Sequence, residues 1–381
     1  MSRRRLSGAG LGLALAFFVT LGMTDGSLGA AWPSLRDEFD RSLSQLGLLL
    51  ATGSIGYLVA SSGFGAIHKR LETHGAIVLG GAAMAVGLAG IAVAPSWLVI
   101  VIAAVLLGAG GGLVDTGINA HASLEFDVGS TNLLHSAFGL GAAIGPILIA
   151  ASLTAGQTWR GGYAIIAMTQ LVVLIFVLRS RPRLASQDAA SAETGTSALS
   201  NPRTQTLTLV MFLLYTGSEV AVGQWSFTLL TEARGLSVGA AGAWVAAYWG
   251  GLTLGRAVFA GVGPRIAPTR IIKVSITTAT VGVAMLWLDA GGLGFVGLPI
   301  AGLGFAAIFP TMVSLTPHRI GRDRSPAMMG YQLAAANLGA ATVPWAVGLV
   351  AESAGLTTLS PALLVSVLLL GLLHLALERK T

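Results

Sequence analysis

Four side chains that carry charge at neutral pH, Asp25, Asp115, Glu219 and Arg256, are embedded in long apolar runs. In hydrocarbon a charge costs roughly 3 kcal/mol even on lenient insertion scales, so each must face a bundle interior, a partner or water. Such groups either lock helices together in a fixed ion pair or carry a coupling charge. A carboxylate in a partly dry cavity binds and releases a proton as the cavity opens to opposite sides, and a wetter one with oxygen neighbours holds a cation such as Na+. Asp25, Asp115 and Glu219 are therefore candidate cation-coupling residues, and Arg256 a structural or gating one. Asp115 and Asn119 are one helical turn apart and share a face, with His121 just beyond. Asn132 and His135 open the next apolar segment. These three polar neighbours, Asn119, Asn132 and His135, are candidate substrate contacts.

The second half offers a different inventory. Gln224, Trp225, Tyr248, Trp249, Gln332 and Asn337 combine amides with aromatic rings, the pairing that suits a polyol. Sugars present apolar C–H faces that stack on indoles and hydroxyls that need paired donors and acceptors, which Gln or Asn supplies from one side chain. Trp249 equally suits the aromatic belt at the membrane interface, where Trp32, Trp97 and Trp287, near predicted segment ends, are expected. His68, His74, His318 and His374 fall in loops or at segment ends without ligand spacing, so they are expected to be solvated. No metal centre, catalytic residue or organic cofactor is expected. Gly145-Pro146, Phe309-Pro310 and Val343-Pro344 bend helices, and Pro146 and Pro344 serve either as static kinks or as gating hinges.

The elements that must hold these groups are membrane helices. Charged residues make up 10% of the 381-residue chain and hydrophobic ones 54%, against roughly 25% charged in soluble domains. A soluble fold is excluded. Glycine is abundant at 52 residues, which lets membrane helices approach closely. With no cysteine there is neither a disulfide nor a thiolate site. Twelve apolar segments are near the bilayer-spanning length: about 9–32, 44–67, 75–94, 97–120, 131–154, 160–178, 205–231, 239–262, 271–288, 291–315, 325–351 and 358–377. The Arg3-Arg4-Arg5 start resembles a signal peptide, but its apolar run is long and contains Asp25.

Most of the 22 Lys and Arg residues cluster in alternate connections, including Arg3–Arg5, Lys69, Arg70, Arg179, Arg270, Lys273, Arg319 and Lys380. The other connections hold only Arg36, Arg41, Arg160 and Arg234. The positive-inside rule then places both termini in the cytoplasm, in a bacterial inner membrane. The polar stretch 179–204 reads as a cytoplasmic linker between an N-terminal bundle, 1–178, and a C-terminal bundle, 205–381.

The two bundles echo each other. Ala137-Phe-Gly-Leu-Gly-Ala-Ala-Ile-Gly-Pro146 returns 198 residues later as Ala335-Ala-Asn-Leu-Gly-Ala-Ala-Thr-Val-Pro344, and Thr24-Asp25-x3-Gly29 matches Ser218-Glu219-x3-Gly223 at an offset of 194. A parallel six-helix repeat predicts two halves related by an axis along the membrane normal, with a midplane binding site.

Several stretches resemble the fucose permease branch of the major facilitator superfamily and its sodium-dependent glucose transporter relatives. They are Gly110-Gly-Gly-Leu-Val-Asp-Thr-Gly-Ile-Asn119, Asn132-Leu-Leu-His-Ser-Ala-Phe-Gly-Leu-Gly-Ala-Ala-Ile-Gly-Pro146, Glu219 with Gly223-Gln-Trp225, and Tyr248-Trp-Gly-Gly-Leu-Thr-Leu-Gly-Arg256. The resemblance implies a twelve-helix fold and monosaccharide uptake coupled to H+ or Na+, with Asp25 on helix 1 and Asp115 on helix 4 serving the coupling. Asp115 stands where the fucose permease carries glutamate. The family's cytoplasmic loop signature after helix 2 survives only as Gly65-x3-Lys69-Arg70-Leu-Glu-Thr-His74, without its acid and second glycine. The expected partners are a sugar-like small molecule and the lipid bilayer, not nucleic acid, and the chain is expected to act as a monomer. The alternative is a proton-coupled exporter of drugs or amphipathic metabolites. A non-transporting sensor would leave the carboxylates unexplained, and no Gly-x4-Gly-Lys-Ser/Thr loop points to ATP.

Overall fold

The computed structural model describes residues 8–125, 128–180, 202–262, 265–321 and 325–378. Arg3–Arg5, most of the 179–204 linker, Arg322, Arg324, Arg379, Lys380 and the side chain of Asn132 lie outside the described residues.

The helices are α1 (Gly8–Glu38), then α2 (residues 45–71) and α3 (73–92), which form one run, Gln45–Ala92, broken where Glu72 leaves helical geometry at φ 59° and ψ 175°. There follow α4 (Trp97–Glu125), α5 (Val128–Thr154), α6 (Trp159–Ser180), and α7 (Pro202–Thr228), extended by a π-turn over Leu229–Ala233. Next come α8 (Val238–Val262) and α9 (Pro268–Leu288). The tenth crossing, α10, consists of Gly297–Phe305 and Ile308–Ile320; α11 (Ser325–Ala354) and α12 (Leu359–Glu378) complete the chain. Helix is the only form that satisfies its own backbone in hydrocarbon, apart from a closed barrel, and no strand occurs among the described residues.

Among the described residues ten helical stretches have the length and hydropathy to cross a bilayer. One of them, Gln45–Ala92, has 48 residues and supplies two crossings, one on each side of Glu72. The twelfth crossing is α8, 25 residues long, which carries Arg256 within its apolar run. The expected twelve-helix plan therefore stands. α10 runs to Ile320, past the predicted end, and its interruption falls at Ala306–Ala307, which leaves Pro310 in a first turn rather than at a mid-helix kink.

The chain divides into two units, Met1–Phe39 with Thr52–Ala190, and Asp40–Ala51 with Ser191–Thr381. The short segment Asp40–Ala51 joins the second unit, where the Ser44 amide donates to Glu352 at 3.1 Å.

Within the first unit α1 packs on α5 most extensively, and within the second α7 packs on α11 in the same way. Glycine makes both seams. A Cβ on Gly141 would fall on the Val19 carbonyl, and one on Gly339 would fall on the Leu213 carbonyl. These two contacts differ by the offsets of 198 and 194 read from the sequence. The α2–α4 and α8–α10 crossings repeat as well: Gly108 meets the Gly53 backbone, and Gly302 meets that of Tyr248. Small-residue contacts of this kind associate helices where lipid removes the hydrophobic drive.

Two expected positions are corrected by burial. Trp32 is fully buried and lies 6.2 Å from Trp97, so it belongs to the core rather than the interfacial belt, whereas Trp287 is 48% exposed. His374 is 2% exposed and lies 3.3 Å from Glu378, not in solvent. His318 is exposed in the last turn of α10, at a segment end as expected.

Candidate functional site

In the first unit α4 presents Asp115 and Asn119 on one face, as the spacing predicts. The Asn119 amide donates to Asp115 Oδ1 at 2.8 Å, and the Tyr57 hydroxyl on α2 donates to Asp115 Oδ2 at 2.6 Å. Both carboxylate oxygens are thus held while the residue remains half-buried. Sequence reasoning misses Tyr57, because nothing in the sequence reports which face of α2 meets α4. The close approach that brings Tyr57 there depends on Gly112, whose Cβ would lie 2.6 Å from the Tyr57 carbonyl oxygen.

Asp25 on α1 is exposed. Its charge and that of Asp115 act on each other, and the charge of His135 on α5 also reaches Asp115. The fold therefore gathers Asp25, Tyr57, Asp115, Asn119 and His135 from four helices. The α1–α5 seam holds this group in register: Gly22 and Gly26, flanking Asp25, lie against the backbone of Phe138 and Ala142. His135 is exposed, with its ring edge-on to Phe18 at 5.8 Å. Beneath this group, buried Thr20 donates to Gln170 at 2.6 Å, and the Gln170 amide donates to the Gly81 carbonyl at 3.1 Å.

The second unit handles its acid differently. Glu219 is 9% exposed and accepts a short hydrogen bond from Tyr215, one turn earlier on α7. Its other oxygen lies 3.8 Å from an Arg256 guanidinium nitrogen on α8. Tyr215 also reaches the Phe305 carbonyl at 3.2 Å, and Tyr248 donates to the Glu219 carbonyl at 2.7 Å. Glu219 and Arg256 thus form a partly buried ion pair braced by two tyrosines.

The predicted polyol residues of this unit fall into two groups. Trp225, fully buried, donates to the Pro344 carbonyl at 2.9 Å, and Gln332 pairs with Thr316 at 2.9 Å, so their polar atoms are used within the protein. Pro344 lies within the continuous α11 helix, as Pro146 lies within α5, where Gly145 abuts Met23 and Ser27. Trp249 is 5% exposed, lies edge-on to Tyr248 at 5.1 Å and covers Gly223, but its indole N–H has no hydrogen-bond partner among the described residues. The Ser218 hydroxyl, fully buried beside Glu219, likewise has none. Gln224 is buried and Asn337 is half-buried, its amide donating to the Leu333 carbonyl at 3.0 Å. No cluster of three or more His, Asp or Glu able to hold a metal occurs among the described residues.

Twelve membrane-crossing helices in two repeated sets, each carrying intramembrane acids on its first helix, define an integral membrane protein of the transporter class. The Major Facilitator Superfamily model matches residues 13–344, and the chain belongs to that family. It is 25% identical over 353 residues to the glucose/galactose transporter of Brucella abortus, covering 85% of this chain and 83% of that one. The sodium-dependent glucose transporter 1A of Mus musculus is 24% identical over 348 residues, covering 78% and 80%. Among solved structures, the nucleoside transporter NupG superposes with a TM-score of 0.81 at 13% identity, over 97% of this chain and 99% of that one. FucP in its outward conformation superposes with a TM-score of 0.64 at 17% identity, over 98% of both. The fold and family are those of transporters, not enzymes.

Proposed function

We propose that this protein is a secondary active transporter that moves a monosaccharide or similar polyol together with H+ or Na+ by alternating access. The observation that carries the reading is the Asp25–Asp115 group. Two carboxylates whose charges act on each other, inside a membrane, are relieved by a proton or a cation, and their opening to alternate sides would make that ion a driver. Tyr57 and Asn119 orient Asp115, and His135 supplies a titratable neighbour. The sugar class is supported by the glucose transporters among its relatives. The buried Trp249 indole supplies a stacking face with an unused donor, and Gln224 and Asn337 supply amides. Coupling requires ion and sugar to favour the same state, which is a reciprocal free-energy link. The protein works without a cofactor, as a monomer, in the bacterial inner membrane with its termini in the cytoplasm, the side that its basic connections favour.

The test is uptake of labelled glucose, galactose and fucose into proteoliposomes under an imposed proton or sodium gradient. One sugar accumulating above its equilibrium level under one gradient supports the reading and names the ion. Absence of sugar accumulation under both gradients, with expulsion of a lipophilic cation against a proton gradient, would replace it with the exporter reading.

A further inference from the structure

On the outer face of the second unit, α9 and α12 enclose a groove of about 370 Å³ that is apolar along most of its length and charged at one end. Leu368, Leu372 and Leu375 line it, exposed at 46%, 63% and 43%. Gly371 leaves it open, since a Cβ there would only touch Ile276 at 3.4 Å. The charged end holds exposed Lys273, whose ammonium lies 3.7 Å from Glu378, and His374, 2% exposed and lining the groove. His374 Nε2 is 3.3 Å from Glu378 Oε1, but neither ring nitrogen makes a hydrogen bond among the described residues. Arg319 on α10 interacts with the same carboxylate and keeps one guanidinium nitrogen buried without a partner.

We propose that this groove binds an anionic phospholipid, its acyl chain along Leu368, Leu372 and Leu375 and its phosphate at Lys273 beside His374, with the charge of Arg319 behind them. Two permanent cations, Lys273 and Arg319, share a single carboxylate, which leaves net positive charge at the end of the groove where Lys273 is exposed. Basic pockets between membrane helices recognise anionic headgroups in this manner. Glu378 then acts as the internal anion that the phosphate displaces. The inference is independent of what the protein carries.

Thermal unfolding of the full chain in mixed micelles, titrated with phosphatidylglycerol or phosphatidylcholine of identical chains, tests it, because a ligand stabilises according to its concentration and affinity. Phosphatidylglycerol is expected to raise the unfolding temperature at concentrations where phosphatidylcholine does not. Lys273→Ala should weaken its binding about fivefold, the effect of one near-surface cation. Glu378→Gln should strengthen binding, and Gly371→Leu should weaken it with every charge intact. Glycerol 3-phosphate, the soluble headgroup, should not match the lipid. Equal stabilisation by both lipids, equal stabilisation by glycerol 3-phosphate, or indifference to both Lys273→Ala and Glu378→Gln would overturn the proposal.

Discussion

The two units place an acid at corresponding positions, Asp25 on α1 and Glu219 on α7, and treat it in opposite ways. Asp25 is reached by solvent and has a second carboxylate acting on it. Glu219 is buried, hydrogen-bonded by Tyr215 and balanced by Arg256. A charge already neutralised by an arginine gains little from binding a cation, whereas a charge facing a like charge gains much. The repeat thus holds two corresponding acids, one facing a like charge and the other paired with an arginine. Of the three carboxylates read as cation-coupling from the sequence, Asp115 is held by Tyr57 and Asn119, and Glu219 by Tyr215 and Arg256.

The comparison breaks if the acids of the first unit are dispensable. Asp25→Asn or Asp115→Asn should abolish gradient-driven accumulation while leaving sugar exchange across the same vesicles, and unchanged accumulation would remove the residue from coupling. The next largest effect is on stability. Glu219→Gln alone leaves Arg256 without its counter-charge and should cost up to about 3 kcal/mol, the low end for a broken buried pair because Arg256 retains 26% exposure. Adding Arg256→Gln should restore most of the loss in thermal unfolding; additive losses in that cycle would mean the pair is not coupled.

Gly141→Ala and Gly339→Ala should each cost about 1–3 kcal/mol from overpacking against a backbone carbonyl, and unfolding temperatures that fall in one variant only would deny that the seams are equivalent. The smallest effect distinguishes the tyrosines. Tyr57→Phe removes a hydrogen bond to a charged group, worth about 1.5–3 kcal/mol in general, and should appear as a change in the ion concentration giving half-maximal transport. Tyr215→Phe should lower the unfolding temperature and leave that concentration unchanged.

Twelve crossings, the repeat and the polar face of α4 were legible because they depend on local run length and helical periodicity. α8 was legible as an apolar run although it carries Arg256. Pairing across helices was not. Tyr57 meets Asp115, and Arg256 meets Glu219, only once the rotation of each helix about its axis is set by glycine contacts with its neighbours. For the same reason Trp32 and His374, placed near segment ends by sequence, prove to be packed inside. Arg234 shows another limit. Both units bind the carboxy-terminal carbonyls of their third helix with an arginine, but Arg160 at the start of α6 does so in the first, reaching Ala92 at 3.2 Å and Ala94 at 2.7 Å. In the second, Arg234 in the α7–α8 connection reaches Leu286 and lies 3.5 Å from Asp289. Burial lowers the affinity of Arg234 for its proton and Asp289 opposes the shift. Equivalent jobs assigned to non-equivalent positions leave no trace in an internal alignment.

Backbone-to-backbone contact at Gly141 and Gly339, and again at Gly108 and Gly302, has a practical corollary. Since the same collisions await a methyl group at matched positions, tolerance to substitution measured across one set of six helices serves as a forecast for the other. Departures from that forecast would mark the places where the copies have taken on separate duties.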